Sequence, residues 1–277
     1  MMRASVSLVR LAILICLPAA AGCGGHYIVT VGDQLAPAGG EAATVVRLQR
    51  NDFFILAPPV NEALIGLQVA DGKQRGAYTD KLGYAGTTVP VPAQAGRYVL
   101  RVAHLDRWGD EVTVEAPVYV WAPDRPAVAV DMDCLPGLVL GSPKQGARAI
   151  QKLAGGANLL YLTRRGTGQH AQAHEQLHRA GYPDGPILAW QREQWHIVRE
   201  EGWRIPRIVV ENRLISQLPE IRKAFPNLKL GVCGSALAAK AFAEAGMEMV
   251  IVGSAGWDGK AAVRRHGSWA ELADRGP

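Results

Sequence analysis

The sequence predicts an all-β sandwich followed by an α/β domain with a parallel sheet of the Rossmann-like kind. Three observations carry this. From about His26 to Pro123 the chain is a series of short Val-rich runs separated by Gly-, Asp- and Pro-containing turns, with no helical stretch between them. From Ala127 onward, apolar runs of strand length alternate with segments of helical period. Between the two lies "WAPDRP", residues 121–126, whose two prolines interrupt regular structure. The 277 residues suffice for two domains, and 48% hydrophobic with 20% charged residues is a globular composition.

The elements follow in order. Residues 1–22 read as a lipoprotein signal peptide: Arg3 and Arg10 form a basic start, Leu11 to Leu17 an apolar stretch, and "AAAGC" a small-residue cleavage region ending at Cys23. The run is short for a membrane span of ~20 residues. "AGC" resembles the bacterial lipobox, which implies lipidation of Cys23, export, and attachment to a membrane of the cell envelope. Loss of Arg3 and Arg10 lowers the formal charge from +5 to +3, too mild and too scattered for a nucleic-acid partner.

In residues 26–123, "HYIVTV", "ATVVRLQR", "ALIGLQVA", "TTVPVPA", "RYVLRVAHL" and "EVTVEAPVYVW" are the expected strands, with "APAGG" and "DGKQRG" among the turns. Single His and Asp residues here, such as His104, are read as solvated turn positions. The domain is expected to act as a spacer or to bind a protein partner whose identity the sequence does not name.

In residues 127–256 the expected strands are "AVAVDMD", "ANLLYLT", "GPILAW", "RIVV", "LKLGVC" and "EMVIVG". The expected helices are "GARAIQKLA", "GQHAQAHEQLHRAG", "EQWHIVREE", "LISQLPEIRKAF" and "SALAAKAFAEAG". Residues 257–277 are set apart as a C-terminal tail. In such a sheet, ligands sit beyond the C-terminal ends of the strands. Asp131 and Asp133 of "AVAVDMDCLP" stand at one of these ends. Two adjacent carboxylates repel, and a divalent cation could hold them together; alternatively they are cap or turn residues. His170, His174 and His178 recur every four residues, a spacing read mainly as a solvated helix face and secondarily as a transition-metal site.

"VDMD" at one strand end and "LLYLTRR" at the next resemble the haloacid dehalogenase superfamily of phosphohydrolases. "YLTRRGTGQHAQAHEQLHRAGYPDGP" and "RLISQLPEIRKAFPNLKLGVCG" narrow the likeness to the catalytic domain of lipin-like and actin-patch-associated phosphatidate phosphatases. The resemblance implies a Mg²⁺-dependent phosphatase, with a phosphorylated small molecule or lipid as substrate. Asp131 would be the nucleophile, Asp133 the general acid, Thr163 the phosphate-binding hydroxyl and Arg213 the phosphate-stabilising cation; Asp131 and Asp133 would hold the metal. "AYTDKLGYAGTTVPVP" with "AGRYVLRV" resembles bacterial Ig-like modules.

The chain departs from the phosphatase pattern at the fourth motif. "CGSALAA" places Gly234 where the family has its first acid and Ala238 or Ala239 where it has the second. Mg²⁺ would then be weakly held or absent. The alternative to an enzyme is an inactive envelope lipoprotein, a pseudoenzyme that binds an anionic ligand or a protein partner. Cys134 and Cys233 lie on strands the resemblance makes neighbours, so either a disulfide or two buried thiols is expected.

Overall fold

The computed structural model describes residues 27–51, 57–106, 109, 111–138, 142–200, 203–212, 214–254, 256, 257, 259 and 262–277. The signal segment, Cys23 and Arg213 lie outside the described residues. No described helix is long and apolar enough to cross a membrane.

The N-terminal part is a β-sandwich. One sheet has strand order β1 (Tyr27–Val31), β3 (Glu41–Arg50), β6 (Tyr84–Pro90). The other runs β2 (Gln34–Pro37), β8 (Glu111–Trp121), β7 (Gly96–Leu105), β4 (Leu64–Val69), β5 (Arg75–Tyr78). Alternation decides the faces: along β3, Ala42, Thr44, Val46 and Leu48 are buried while their neighbours are not. Val46 and Leu48 meet Ile65, Leu67, Leu100, Val102 and Val118 of the opposite sheet in one core. Two of these strands, β2 and β5, are not among the expected ones, and each overlaps a stretch the sequence marks as a turn by two residues. Each has four residues, too few for a periodic signal, and each is an edge strand held by one neighbour.

The second part carries a six-stranded, all-parallel sheet. Its strands are β9 (Ala127–Asp131), β10 (Asn158–Thr163), β11 (Ile187–Ala189), β14 (Leu228–Cys233), β15 (Glu248–Val252) and β16 (Val263–His266). The spatial order β11-β10-β9-β14-β15-β16 reverses direction between β9 and β14, a topological switch point of the doubly wound kind. Helices α1 (Pro143–Ala154), α2 (His170–Arg179) and α5 (Trp269–Arg275) cover one face; α3 (Leu214–Ala224) and α4 (Ala236–Glu244) cover the other. The strands alternate accordingly. Val128 and Val130 pack with Ile150 and Leu177, whereas Ala127 and Ala129 pack with Leu218 and Phe242. Residues 257–277 are no separate tail, since they supply the last strand and helix of this domain.

Of the segment 193–201 expected as a helix, residues 193–200 are instead part of β12 (Gln191–Glu200), paired antiparallel with β13 (Trp203–Asn212) over ten residue pairs, and residue 201 lies outside the described residues. Trp195, Ile197 and Val198 are aromatic or β-branched, and a ten-pair ladder outweighs the helix preference of the surrounding Glu, Gln and Arg. The hairpin leaves the sheet directly after β11.

The two parts share a core. Tyr119 and Trp121 at the end of β8 belong to the hydrophobic cluster of the α/β domain, and Trp121 meets Phe225 edge to face at 5.4 Å. A polar lock adds direction. Asp33, between β1 and β2, buries its carboxylate under α2 and the sheet edge. Its Oδ2 accepts from His174 Nε2 and from the Ile187 backbone N–H, both at 2.7 Å. The second bond satisfies an amide of edge strand β11 that no neighbouring strand reaches. His174 Nδ1 in turn faces Asp184 at 3.8 Å, which accepts from the Tyr119 hydroxyl at 2.9 Å. The His170/His174/His178 row is thus no solvated face: His170 is buried, His174 half-buried, and only His178 exposed. His104 is likewise buried, its Nδ1 2.9 Å from the Leu64 carbonyl.

Candidate functional site

The strand-to-turn transition after β9 places the aspartates. Five consecutive buried residues, "AVAVD", end at Asp131, and a single 3₁₀ turn over Met132–Cys134 follows. Asp131 caps that turn: its Oδ1 accepts from the Asp133 backbone N–H at 3.2 Å. β10 lies beside β9 with Leu162 opposite Asp131, so Thr163 arrives one residue beyond. β14 flanks β9 on the other side with Val232 opposite Val130, which brings Gly234 and Ser235 to the same tip. Asp131, Asp133 and Thr163 therefore converge at the switch point.

The four carboxylate oxygens are all engaged. Asp131 Oδ2 accepts from Ser235 Oγ at 2.9 Å. Asp133 Oδ1 accepts from Thr163 Oγ1 at 2.7 Å, and Asp133 Oδ2 from the Arg164 backbone N–H at 2.8 Å and its Nε at 3.2 Å. Thr163 Oγ1 also accepts from the Arg165 N–H at 3.2 Å. Ser235 and Arg164 were not singled out from the sequence. The signal for Ser235 was present, because a Ser opening the helix after "LKLGVCG" is an N-cap, and its hydroxyl does accept from the Ala238 N–H at 3.3 Å.

Burial pushes the Asp131 carboxyl above its ordinary range, and the charge of Asp133 adds to this. Hydrogen bonds from Ser235, Asp133 and Gly234 pull the other way without cancelling it. Burial also lifts the Cys134 thiol well above its usual range and pushes Cys233 up to about 12. Both cysteines are free. Cys233 belongs to the core on the α3/α4 face of the sheet, whereas Met132 and Leu135, either side of Cys134, belong to the opposite core. The Cys134 thiol donates instead to the Asp131 carbonyl oxygen, with Sγ at 2.9 Å.

Magnesium does not fit this donor set. A Cβ added at Gly234, where the resemblance would require an acid, meets Cys134 Cβ at 2.5 Å and Sγ at 3.2 Å. The oxygens of Asp131 and Asp133 already take hydrogen bonds from the protein. Among the described residues no group of three or more His, Cys, Asp or Glu side chains is placed to hold a metal ion. Asp274 lies on the surface against Arg148 at 3.7 Å, and Asp258 lies outside the described residues.

No family model matches the chain, and no curated protein matches it. Among solved structures, the Ig1-2 module of the Drosophila receptor protein tyrosine phosphatase DLAR is similar over 38% of this chain and 59% of its own, at 16% identity and TM-score 0.27. Invasin, a bacterial integrin-binding protein, is similar over 39% of this chain and 23% of its own, at 19% identity and TM-score 0.26. The carbohydrate acetylesterase XAC1771 from Xanthomonas citri is similar over 79% and 48%, at 12% identity and TM-score 0.29. Likenesses this slight decide neither fold nor function.

Proposed function

We propose that this chain is an exported, lipid-anchored envelope protein that pairs an Ig-like sandwich with a haloacid-dehalogenase-like domain. In this reading the domain has given up metal-dependent hydrolysis and serves as a binding module for an anionic ligand. One observation carries the proposal: every oxygen of the retained aspartate pair already accepts a hydrogen bond from the protein. The donors are Ser235, Thr163, and the backbones of Asp133 and Arg164. A nucleophilic Asp131 would have to be ionised and able to approach phosphorus. Here burial disfavours its charge and Ser235 holds the outer oxygen. The cation offered to an anion is the guanidinium of Arg164, whose Nε bonds Asp133 and whose side chain is 62% exposed at the strand ends. Attachment through Cys23 would keep this surface beside the membrane.

A second reading, a phosphomonoester hydrolase with Asp131 as nucleophile and Asp133 as acid, is favoured by the convergence of Asp131, Asp133 and Thr163 at the switch point. The two separate in one experiment. Calorimetric titration with inorganic phosphate and with p-nitrophenyl phosphate, in the presence of millimolar Mg²⁺, should show binding without product release. Steady hydrolysis abolished in Asp131→Asn would instead establish the enzyme.

A further inference from the structure

A cavity of about 600 Å³ lies between the two domains, apart from the aspartate pair. Its floor is the outward face of β3, where Glu41, Ala43, Val45 and Arg47 alternate with core residues. α3 contributes Gln217 and Glu220, and the loop 166–168 with the end of β11 closes the inner side. Size, position between domains and position at the C-terminal ends of parallel strands are those of small-molecule sites.

His170 lines this cavity with a side chain only 5% exposed. Its Nδ1 faces Asp33, 3.4 Å from the backbone N and 3.8 Å from the carboxylate Oδ1. Its Nε2 is buried and has no hydrogen-bond partner among the described residues. A ligand hydroxyl would satisfy it in either tautomer, accepting from the N–H or donating to the bare nitrogen. Charge then decides which kind of ligand fits. Among the described lining residues there are three carboxylates, Asp33, Glu41 and Glu220, and one guanidinium, Arg47, which lies 5.2 Å over the Tyr84 ring. Among the described residues Glu41 and Glu220 pair with exposed cations, Arg75 at 3.9 Å and Lys223 at 2.7 Å, a kind of pairing that solvent screens. The balance opposes an anion. One hydroxyl can pair with His170 Nε2 while another donates to Glu220 or Glu41.

We infer that this interdomain cleft binds an uncharged, hydroxyl-rich ligand, a short saccharide, independently of the aspartate pair. Calorimetry on the full-length protein tests this with maltose, cellobiose and chitobiose as probes and glucose 6-phosphate as the anionic counterpart. At least one neutral disaccharide should bind saturably, and better than the phosphate. Asp131→Asn should leave that affinity unchanged, which separates this site from the reading above. Ala43→Trp fills the cavity from an exposed position, and His170→Phe keeps an aromatic ring but removes the hydrogen-bonding Nε2 atom. Each should weaken binding at least about tenfold, and Ala43→Trp decides alone should His170→Phe fail to fold. The inference is overturned if none of the three disaccharides binds at millimolar concentration. Tighter binding of the phosphate, or affinity that survives Ala43→Trp at an unchanged melting temperature, overturns it equally.

Discussion

Replacing Asp33 by Ala should separate the stability of the two halves. The Asp33 side chain is 2% exposed and holds His174 and the Ile187 N–H at 2.7 Å each. Removing it strands a buried edge-strand amide and the imidazole together. Breaking a buried hydrogen-bonded pair from one side costs about 3–5 kcal/mol. In domains of this size each kcal/mol corresponds to about 2–4 °C, so the melting temperature should fall by about 6–20 °C. The loss should appear in scanning calorimetry as a broadened or split transition, because the lock joins sandwich to sheet. Asp33→Asn keeps one acceptor for Ile187 and should lose about half as much. The pH dependence follows from the same group. Burial raises the Asp33 carboxyl, but the bonds from His170, His174 and Ile187 outweigh it and the net shift is downward. A carboxyl depressed in the folded state contributes stability that is present above its unfolded value near 3.8 and lost as pH falls through the folded value. Wild type should therefore weaken below about pH 4 more steeply than Asp33→Asn. A single transition within one degree of wild type in Asp33→Ala would refute the lock.

The aspartate pair gives the opposite sign. Asp131 is raised in the folded state, so its ionised form opposes folding as pH rises; Asp131→Asn should hold or raise the melting temperature at neutral pH, read by circular dichroism. Gly234→Ala should destabilise by about 1–3 kcal/mol through the clash with Cys134, measured by urea unfolding. Cys134→Gly should recover most of that loss in the double variant, the signature of direct contact. Cys134 and Cys233 should both alkylate in denatured, unreduced protein and resist alkylation in the folded state, as free buried thiols do.

Periodicity made the strands of the parallel sheet legible, because β9, β10, β14 and β15 are apolar runs bounded by turn residues. The resemblance to the phosphohydrolase motifs singled out Thr163 beside Asp131 and Asp133, and the three meet because β9 and β10 are neighbours in the sheet. What escaped were features set by distant parts of the chain. Asp33 reads as an ordinary turn residue, and only the edge amide of Ile187 with the imidazoles of α2, more than a hundred residues away, makes it a lock. The helical spacing of His170 and His174 was visible, but the carboxylate they meet comes from the other domain. The hairpin β12–β13 was missed because its Glu, Gln and Arg content favours helix locally, while its pairing energy comes from the partner strand. β16 was missed because "VRRH" has a single apolar residue; it lies at the sheet edge, where one neighbour suffices.

The most direct test of the account is magnesium titration of the intact protein by calorimetry, repeated on Asp131→Asn. With all four carboxylate oxygens engaged and Gly234 closed by Cys134, the account predicts no saturable heat at millimolar Mg²⁺ in either protein. A saturable Mg²⁺ isotherm in wild type that disappears in Asp131→Asn would contradict it.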